Sequence, residues 1–330
     1  MTMMNSTKMI FLLFMFVSPL ISLSSNNWFG SWMGLEINLI SFTPLMPSKN
    51  NYYSSESSMK YFIIQSVSSM ILLLGIISLS LMMSYSYLIM ICALMAKLGV
   101  APFHMWAPSV MEGISWFNCF IFLTWQKLAG LMLMSYIIIN SMVVFPVIAS
   151  LIIGSFGGIN QSSMKKLMAY SSINNMGWII MGMTISFSLW MSYFLIYTFM
   201  VYNLIYLFMI MEINYLNQFL INMHNSSFKI ILSLLLFSFG GVPPLLGFLP
   251  KLIIIQSLML NSNFLILLIM IMTSLITLFY YIRVTTMMLM VNSSKIKFNN
   301  YLLLNSKLFY LMTFMNLFGF GLIFIFKTIN

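Results

Sequence analysis

The sequence predicts an all-α polytopic membrane protein of about eleven transmembrane helices, with two inverted five-helix repeats and two broken helices. Three observations carry that reading. The 330 residues are 61% hydrophobic and 5% charged, with a mean hydropathy of +1.01, against roughly 25% charged residues in an ordinary soluble domain. Apolar runs of about the 20 residues that a bilayer crossing needs recur down the whole chain. Two of these runs are interrupted by Gly and Pro, and each interruption lies beside a lysine.

Apolar runs and polar punctuation give spans near 8–24, 28–47, 59–81, 87–107, 114–139, 142–160, 170–187, 190–214, 230–249, 262–289 and 308–326. The first, Lys8 followed by MIFLLFMFVSPLISLSS, imitates a secretory signal peptide but is counted as a retained span. No room is left for a large soluble domain, so 1–330 reads as one membrane domain. It comprises a first unit at 8–139, a second at 142–289 and a C-terminal helix at 308–326. The breaks fall in the fourth and ninth spans, and this odd offset inverts one five-helix unit relative to the other, as in many transporters. GSFGG, Gly154 to Gly158, ends an apolar run, where small residues let helices approach closely.

The loops test the span count through the positive-inside rule. On the N-terminal side they collect Lys8, Lys49, Lys60, Lys165, Lys166, Lys229, Lys295, Lys297 and Lys307, whereas the opposite side has Lys327. The N-terminus is therefore expected to face the matrix or cytoplasm. Lys97, Lys127, Lys251 and Arg283 remain inside spans. A central lysine costs roughly 2.5 to 3.5 kcal/mol on insertion scales, so it persists only if it is paired, reaches water or does work. Arg283 lies near a span end, where its head can snorkel to the interface. Glu56, Glu112 and Glu212 fall in or near loops, which leaves Glu36 as the mid-span carboxylate.

Composition also excludes chemistry. Cys92, Cys119, His104 and His224 are too few and too separated to build a metal or redox centre. No phosphate-binding loop follows a strand, and nothing points to nucleic acid. The 36 Met and the absence of Asp fit an A/T-rich genome read with the mitochondrial code.

Glu36 is expected to pair with one of the buried lysines, because an isolated carboxylate and an isolated ammonium would each neutralise in lipid. A static ion pair fixing helix register would explain one such lysine. Three lysines against one acid instead suggest groups that exchange protons, and a series of them is a proton relay. Gly99 and Pro102 interrupt the fourth span just after Lys97, and FGGVPPLLGFLPK, Phe239 to Lys251, interrupts the ninth just before Lys251. Breaks of this kind free backbone carbonyls and helix-dipole ends beside polar cavities.

At these residues the chain resembles a known family. CALMAKLGVAPFHMWAPSVMEGISW, FLTWQKLAGLML, GGINQSSMKKLMAYSSINNMGWII and FGGVPPLLGFLPKLIII are similar to segments of the mitochondrially encoded NADH dehydrogenase (ubiquinone) subunit 2 family, antiporter-like membrane subunits of respiratory complex I. With WFGSWMGLEINLISF, the resemblance touches most of residues 28–283. It implies a proton relay in which Glu36 and Lys97 match a paired membrane Glu and Lys. Lys127 then matches a central lysine and Lys251 a lysine on the second broken helix. His104 matches a histidine beside the first break, where a polar cavity role and plain packing fit alike. Lys165 and Lys166 match a basic pair read as a solvated anchor.

The resemblance further implies a proton-translocating subunit of NADH:ubiquinone oxidoreductase in the mitochondrial inner membrane, with its N-terminus in the matrix and its C-terminus in the intermembrane space. Its partners would be other membrane-arm and accessory subunits and inner-membrane lipids. Flavin, iron-sulfur clusters, NADH and ubiquinone would be held on partner subunits, with no cofactor on this chain. A free-standing cation/proton antiporter and a passive structural subunit remain as alternatives. The first would need an acidic cation site, which no mid-span Asp supplies.

Overall fold

The computed structural model describes residues 6–48, 51–219, 226–290, 314 and 316, and among these it is built from α-helices, with a single isolated bridge between Ser163 and Tyr215 in place of any strand. In chain order the helices are α1 Ser6–Ser24, α2 Trp28–Phe42, α3 Tyr52–Ser80, α4 Ser86–Leu98, α5 Trp106–Gly113, α6 Trp116–Leu123 and α7 Trp125–Tyr136. They continue as α8 Asn140–Ile159, α9 Met164–Met183, α10 Phe187–Met211, α11 Ser226–Gly240, α12 Phe248–Leu260 and α13 Phe264–Met290. A 3-10 turn, Thr43–Leu45, carrying Pro44 extends α2.

Among the described residues, six stretches are long and apolar enough to cross a bilayer: Ser6–Ser24, Tyr52–Ser80, Trp116–Tyr136, Ser141–Ile159, Phe187–Met211 and Phe264–Leu289. Their outward faces carry large apolar side chains such as Phe62, Ile63, Leu74, Phe145, Leu195 and Leu268, as lipid contact requires. α9 is built differently. It holds Ser171, Ser172, Asn174 and Asn175 and is buried along nearly its whole length, so protein rather than lipid is its surroundings and a polar sequence is tolerated there. α8 packs against it closely: a Cβ on Gly154 would lie 2.6 Å from the Asn174 backbone nitrogen. The GSFGG glycines thus serve the close helix packing that small residues permit in membranes.

The two interruptions share one backbone device. α4 ends at Leu98 with Gly99 at φ +68°, and Val100 N–H donates to the Met95 carbonyl (3.1 Å). α11 ends at Gly240 with Gly241 at φ +88°, and Val242 N–H donates to the Phe237 carbonyl (3.2 Å). A left-handed glycine followed by a bond reaching back five residues is how helices commonly stop. The prolines just beyond, Pro102 in one case and Pro243 and Pro244 in the other, prevent immediate resumption.

Two features differ from the sequence expectation. The ninth span does not end near residue 249, because the helix resumes after its break and runs to Leu260. The fifth span is divided at Thr124, whose hydroxyl donates to the Phe120 carbonyl at 2.7 Å; back-bonding of this kind bends helices. The eleventh span, 308–326, lies outside the described residues except for Phe314 and Asn316; the Asn316 carbonyl accepts from Leu246 N–H (3.2 Å) in the second break.

Candidate functional site

Lys97 sits in the last turn of α4, where the negative end of the helix dipole favours a cation. Lys127 sits in the first turn of α7, just past the Thr124 bend, and is buried. Both line one cavity with Leu35, Asn38, Tyr61 and Gln65. Its volume is about 30 Å³, by a measure in which one water needs roughly 10 to 15 Å³.

Part of the cavity wall is polar. Asn38 Nδ2 donates to Gln126 Oε1 (2.8 Å) and Gln126 Nε2 donates back to Asn38 Oδ1 (3.0 Å). Tyr61 adds its hydroxyl to Gln126 Oε1 at 3.2 Å. Gln65 Nε2 donates to the Lys97 carbonyl (3.0 Å), and Trp106 Nε1 to the Ala96 carbonyl (3.2 Å), so side chains occupy the carbonyls that the first break frees. Such a network holds α2, α3, α4 and α7 in register around the two lysines.

At the second break the lysine itself takes the freed carbonyl. Lys251, in the first turn of α12, donates from Nζ to the carbonyl of Gly240, the last residue of α11, at 3.0 Å. It also lies 5.9 Å from the centroid of the Trp178 ring of α9, within cation–π reach. Gly241 makes room for this arrangement, since a Cβ there would stand 2.8 Å from Lys251 Nζ. A second cavity, about 20 Å³, is lined by Lys251, Asn175, Tyr193 and Tyr197, and Tyr193 donates its hydroxyl to Asn175 Oδ1 (3.1 Å). Trp178 Nε1 and both amide atoms of Asn203 are buried without a protein partner, the kind of group that ordered water satisfies.

The remaining expected residues fall outside these cavities. Glu36 is half-buried on α2 and acts electrostatically on Lys97, but the two do not form a direct ion pair. The ion pairs among the described residues are Lys60 with Glu56 (2.6 Å) and Lys166 with Glu112 (2.7 Å). His104 is buried in the turn between α4 and α5, with Nδ1 3.3 Å from the Pro102 carbonyl, and does not line the Lys97 and Lys127 cavity. Lys165 and Lys166 are anchors to protein rather than to solvent. Lys165 Nζ donates to the Ile114 carbonyl at 2.7 Å and stands over the Trp116 ring, while Lys166 holds Glu112 of α5. Arg283 Nη2 likewise donates to the Gln161 carbonyl (3.3 Å). His224, Lys49, Lys295, Lys297, Lys307 and Lys327 lie outside the described residues.

Sequence reasoning missed Asn38, Gln65 and Gln126. The available signal was an amide in the middle of an apolar run, which is as costly to bury unsatisfied as it is informative. Among the described residues no group of three His, Cys, Asp or Glu could hold a metal ion.

Residues 25–277 match the family described as NADH:quinone oxidoreductase/Mrp antiporter, TM. The chain is 44% identical over 307 residues to the NADH-ubiquinone oxidoreductase chain 2 of Anopheles gambiae, covering 90% of this chain and 89% of that one. It is 41% identical over 307 residues to the protein of the same name from Aedes aegypti, with the same coverage. In fold it is similar to a chain of respiratory complex I from Thermus thermophilus, with a TM-score of 0.81 at 17% identity over 88% of this chain and 72% of that chain.

Proposed function

The chain belongs to the NADH:quinone oxidoreductase/Mrp antiporter membrane family, and from that membership we propose how its buried lysines do the work of the complex. It is a proton-translocating membrane-arm subunit of NADH:ubiquinone oxidoreductase and so part of an H⁺-translocating enzyme. Lys97 is the loading site, and Glu36 modulates its charge through space. Lys127 takes the proton through water in the shared cavity, and Lys251 receives it and releases it or hands it to a neighbouring subunit. His104 supports the first break by packing.

The observation that carries this reading is that Lys97 and Lys127, on different helices, open into one cavity that has room for water and is lined in part by Asn38, Tyr61, Gln65 and Gln126. A static register pair would need one acid for one lysine, and neither ammonium has an ion-pair partner within the described residues. Moving a unit charge against the membrane potential costs about 2.3 kcal/mol per 100 mV, so the drive comes from outside this chain. The finer architecture is eleven spans, with two inverted five-helix units at 8–139 and 142–289. The chain resides in the mitochondrial inner membrane with its N-terminus in the matrix and its C-terminus in the intermembrane space. Flavin, iron-sulfur clusters, NADH and ubiquinone are held by partner subunits, and accessory subunits and lipids cover its apolar outer faces.

Lys127→Met removes the titratable group at similar length. The assembled complex should keep its composition while proton pumping, and coupled NADH oxidation with it, falls. A Lys127→Met complex that assembles and pumps at the normal proton-to-electron ratio would return the chain to a passive structural role.

A further inference from the structure

α1 lacks one of its own hydrogen bonds in the middle of its span. Pro19 lies inside the helix and has no N–H for the carbonyl four residues back, which is that of Met15. Met15 is fully buried, so that carbonyl needs a donor from the protein. Two reach it: Ser18 Oγ of α1 at 3.2 Å and Trp125 Nε1 of α7 at 3.0 Å. The Trp125 ring also packs edge-on against Phe16, with centroids 5.2 Å apart. Packing alone would be served by any large ring. An indole N–H on a carbonyl opened by a proline, 110 residues away in sequence, is a second and directional link.

What this link holds is the start of α7. Thr124, between α6 and α7, sits at φ −116° and ψ −75°, away from the helical values of about −63° and −42°, so the rotation of α7 about its axis is not inherited from α6. Its neighbours set it instead. Trp125, Gln126 and Lys127 are consecutive in the first turn, and each meets a different part of the bundle. Trp125 bonds to α1, and Gln126 to Asn38 of α2 and Tyr61 of α3, while Lys127 opens into the cavity it shares with Lys97 of α4. At 3.6 residues per turn, Trp125 and Lys127 stand about 200° apart, on nearly opposite sides of the helix. A tether on the far side therefore fixes the rotation at which Lys127 faces the cavity. Gly130, three residues on from Lys127, lets α4 come close on that side, since a Cβ there would lie 2.8 Å from Leu98 Cδ2.

We propose that Trp125 is the positioning residue of Lys127: its N–H, held by the carbonyl that Pro19 leaves open on α1, sets the rotation of the first turn of α7 and aims the lysine into the cavity of Lys97. This rests on the relay reading above. The proline and the tryptophan act as one device, in which α1 forgoes a backbone bond at the depth where α7 needs an anchor.

The test measures coupled NADH oxidation and thermal inactivation side by side on the assembled complex. Trp125→Phe keeps a ring against Phe16 and deletes the N–H. It should lower coupled turnover about tenfold, since a misplacement of about 1 Å costs up to about 100-fold at a catalytic group. Ser18→Ala removes the other donor from the same carbonyl without touching α7, and should leave turnover unchanged. Pro19→Ala returns to α1 its own backbone donor. Added to Trp125→Phe, it should recover the inactivation midpoint but not the turnover, because the carbonyl is then satisfied and α7 is still untethered; this double variant also gives the reading should Trp125→Phe alone fail to assemble. The assignment is overturned if either Trp125 variant turns over at the parental rate, or if Ser18→Ala slows turnover as much as Trp125→Phe does. Should that happen while Lys127→Met still lowers pumping, the relay stands and the tether alone falls; normal pumping by Lys127→Met takes both down.

Discussion

Gly241→Ala should injure the second lysine site without touching a titratable group. At φ +88° an alanine is held in the left-handed region, which costs about 1 to 2 kcal/mol for a residue with a Cβ. The new methyl would also stand 2.8 Å from Lys251 Nζ and push the ammonium off the Gly240 carbonyl. A hydrogen bond involving a charged group contributes about 1.5 to 3 kcal/mol, so the two effects together cost about 2.5 to 5 kcal/mol. The assay is a double-mutant cycle on the thermal inactivation of the assembled complex, with proton pumping measured alongside. Combined with Lys251→Met, which has no ammonium to displace, Gly241→Ala should retain only the backbone cost. If Gly241→Ala destabilises equally in both backgrounds and pumps normally on its own, the glycine serves the turn alone, and the Lys251 contact with Gly240 is not part of the mechanism.

Asn38→Leu and Gln126→Leu should each cost about 1 to 3 kcal/mol, because each strands the partner amide in the cavity, and the double variant should cost less than their sum; thermal inactivation midpoints check this. Gly154→Ala should lower the yield of assembled complex by overpacking α8 on the Asn174 backbone, at about 1 to 3 kcal/mol, with the pumping ratio of surviving complexes unchanged. Glu56→Gln, which removes an exposed pair with Lys60, should shift the inactivation midpoint negligibly, since exposed i,i+4 pairs are worth about 0.3 to 0.5 kcal/mol.

What was legible in the sequence follows the range over which each feature is decided. The breaks were legible because Gly99, Pro102, Gly241 and Pro243 act on their own backbone, and lysines beside them are conspicuous in an apolar chain. The bend at Thr124 is also local, but a single threonine is a weak signal, since the same hydroxyl bonds back at many positions without dividing a helix. The continuation of α12 to Leu260 is not legible because a span of the usual length is already filled near residue 249, and nothing local says that a helix resumes beyond the break. The clasp between Asn38 and Gln126 joins residues 88 apart, and no local pattern says that two amides will meet. For the same reason the sequence places Glu36 near a buried lysine without saying whether the two touch directly or through water. Its position in the run marked it as unusual, but which face of α2 it shares with the cavity is set by packing, and Leu35, Asn38 and Leu39 take that face instead. Lys165 and Lys166 read as solvated because they border a loop, whereas α5 and α6 come back in space to receive them.

The proton relay is tested most directly by ordered water in a high-resolution map of the intact complex. The account predicts at least one water in the cavity between Lys97 and Lys127, another beside Lys251, Asn175 and Tyr193, and a polar or hydrated connection between them past Ser172 and Tyr197. Dry cavities, with an apolar layer thicker than one water separating Lys127 from Lys251, would contradict it.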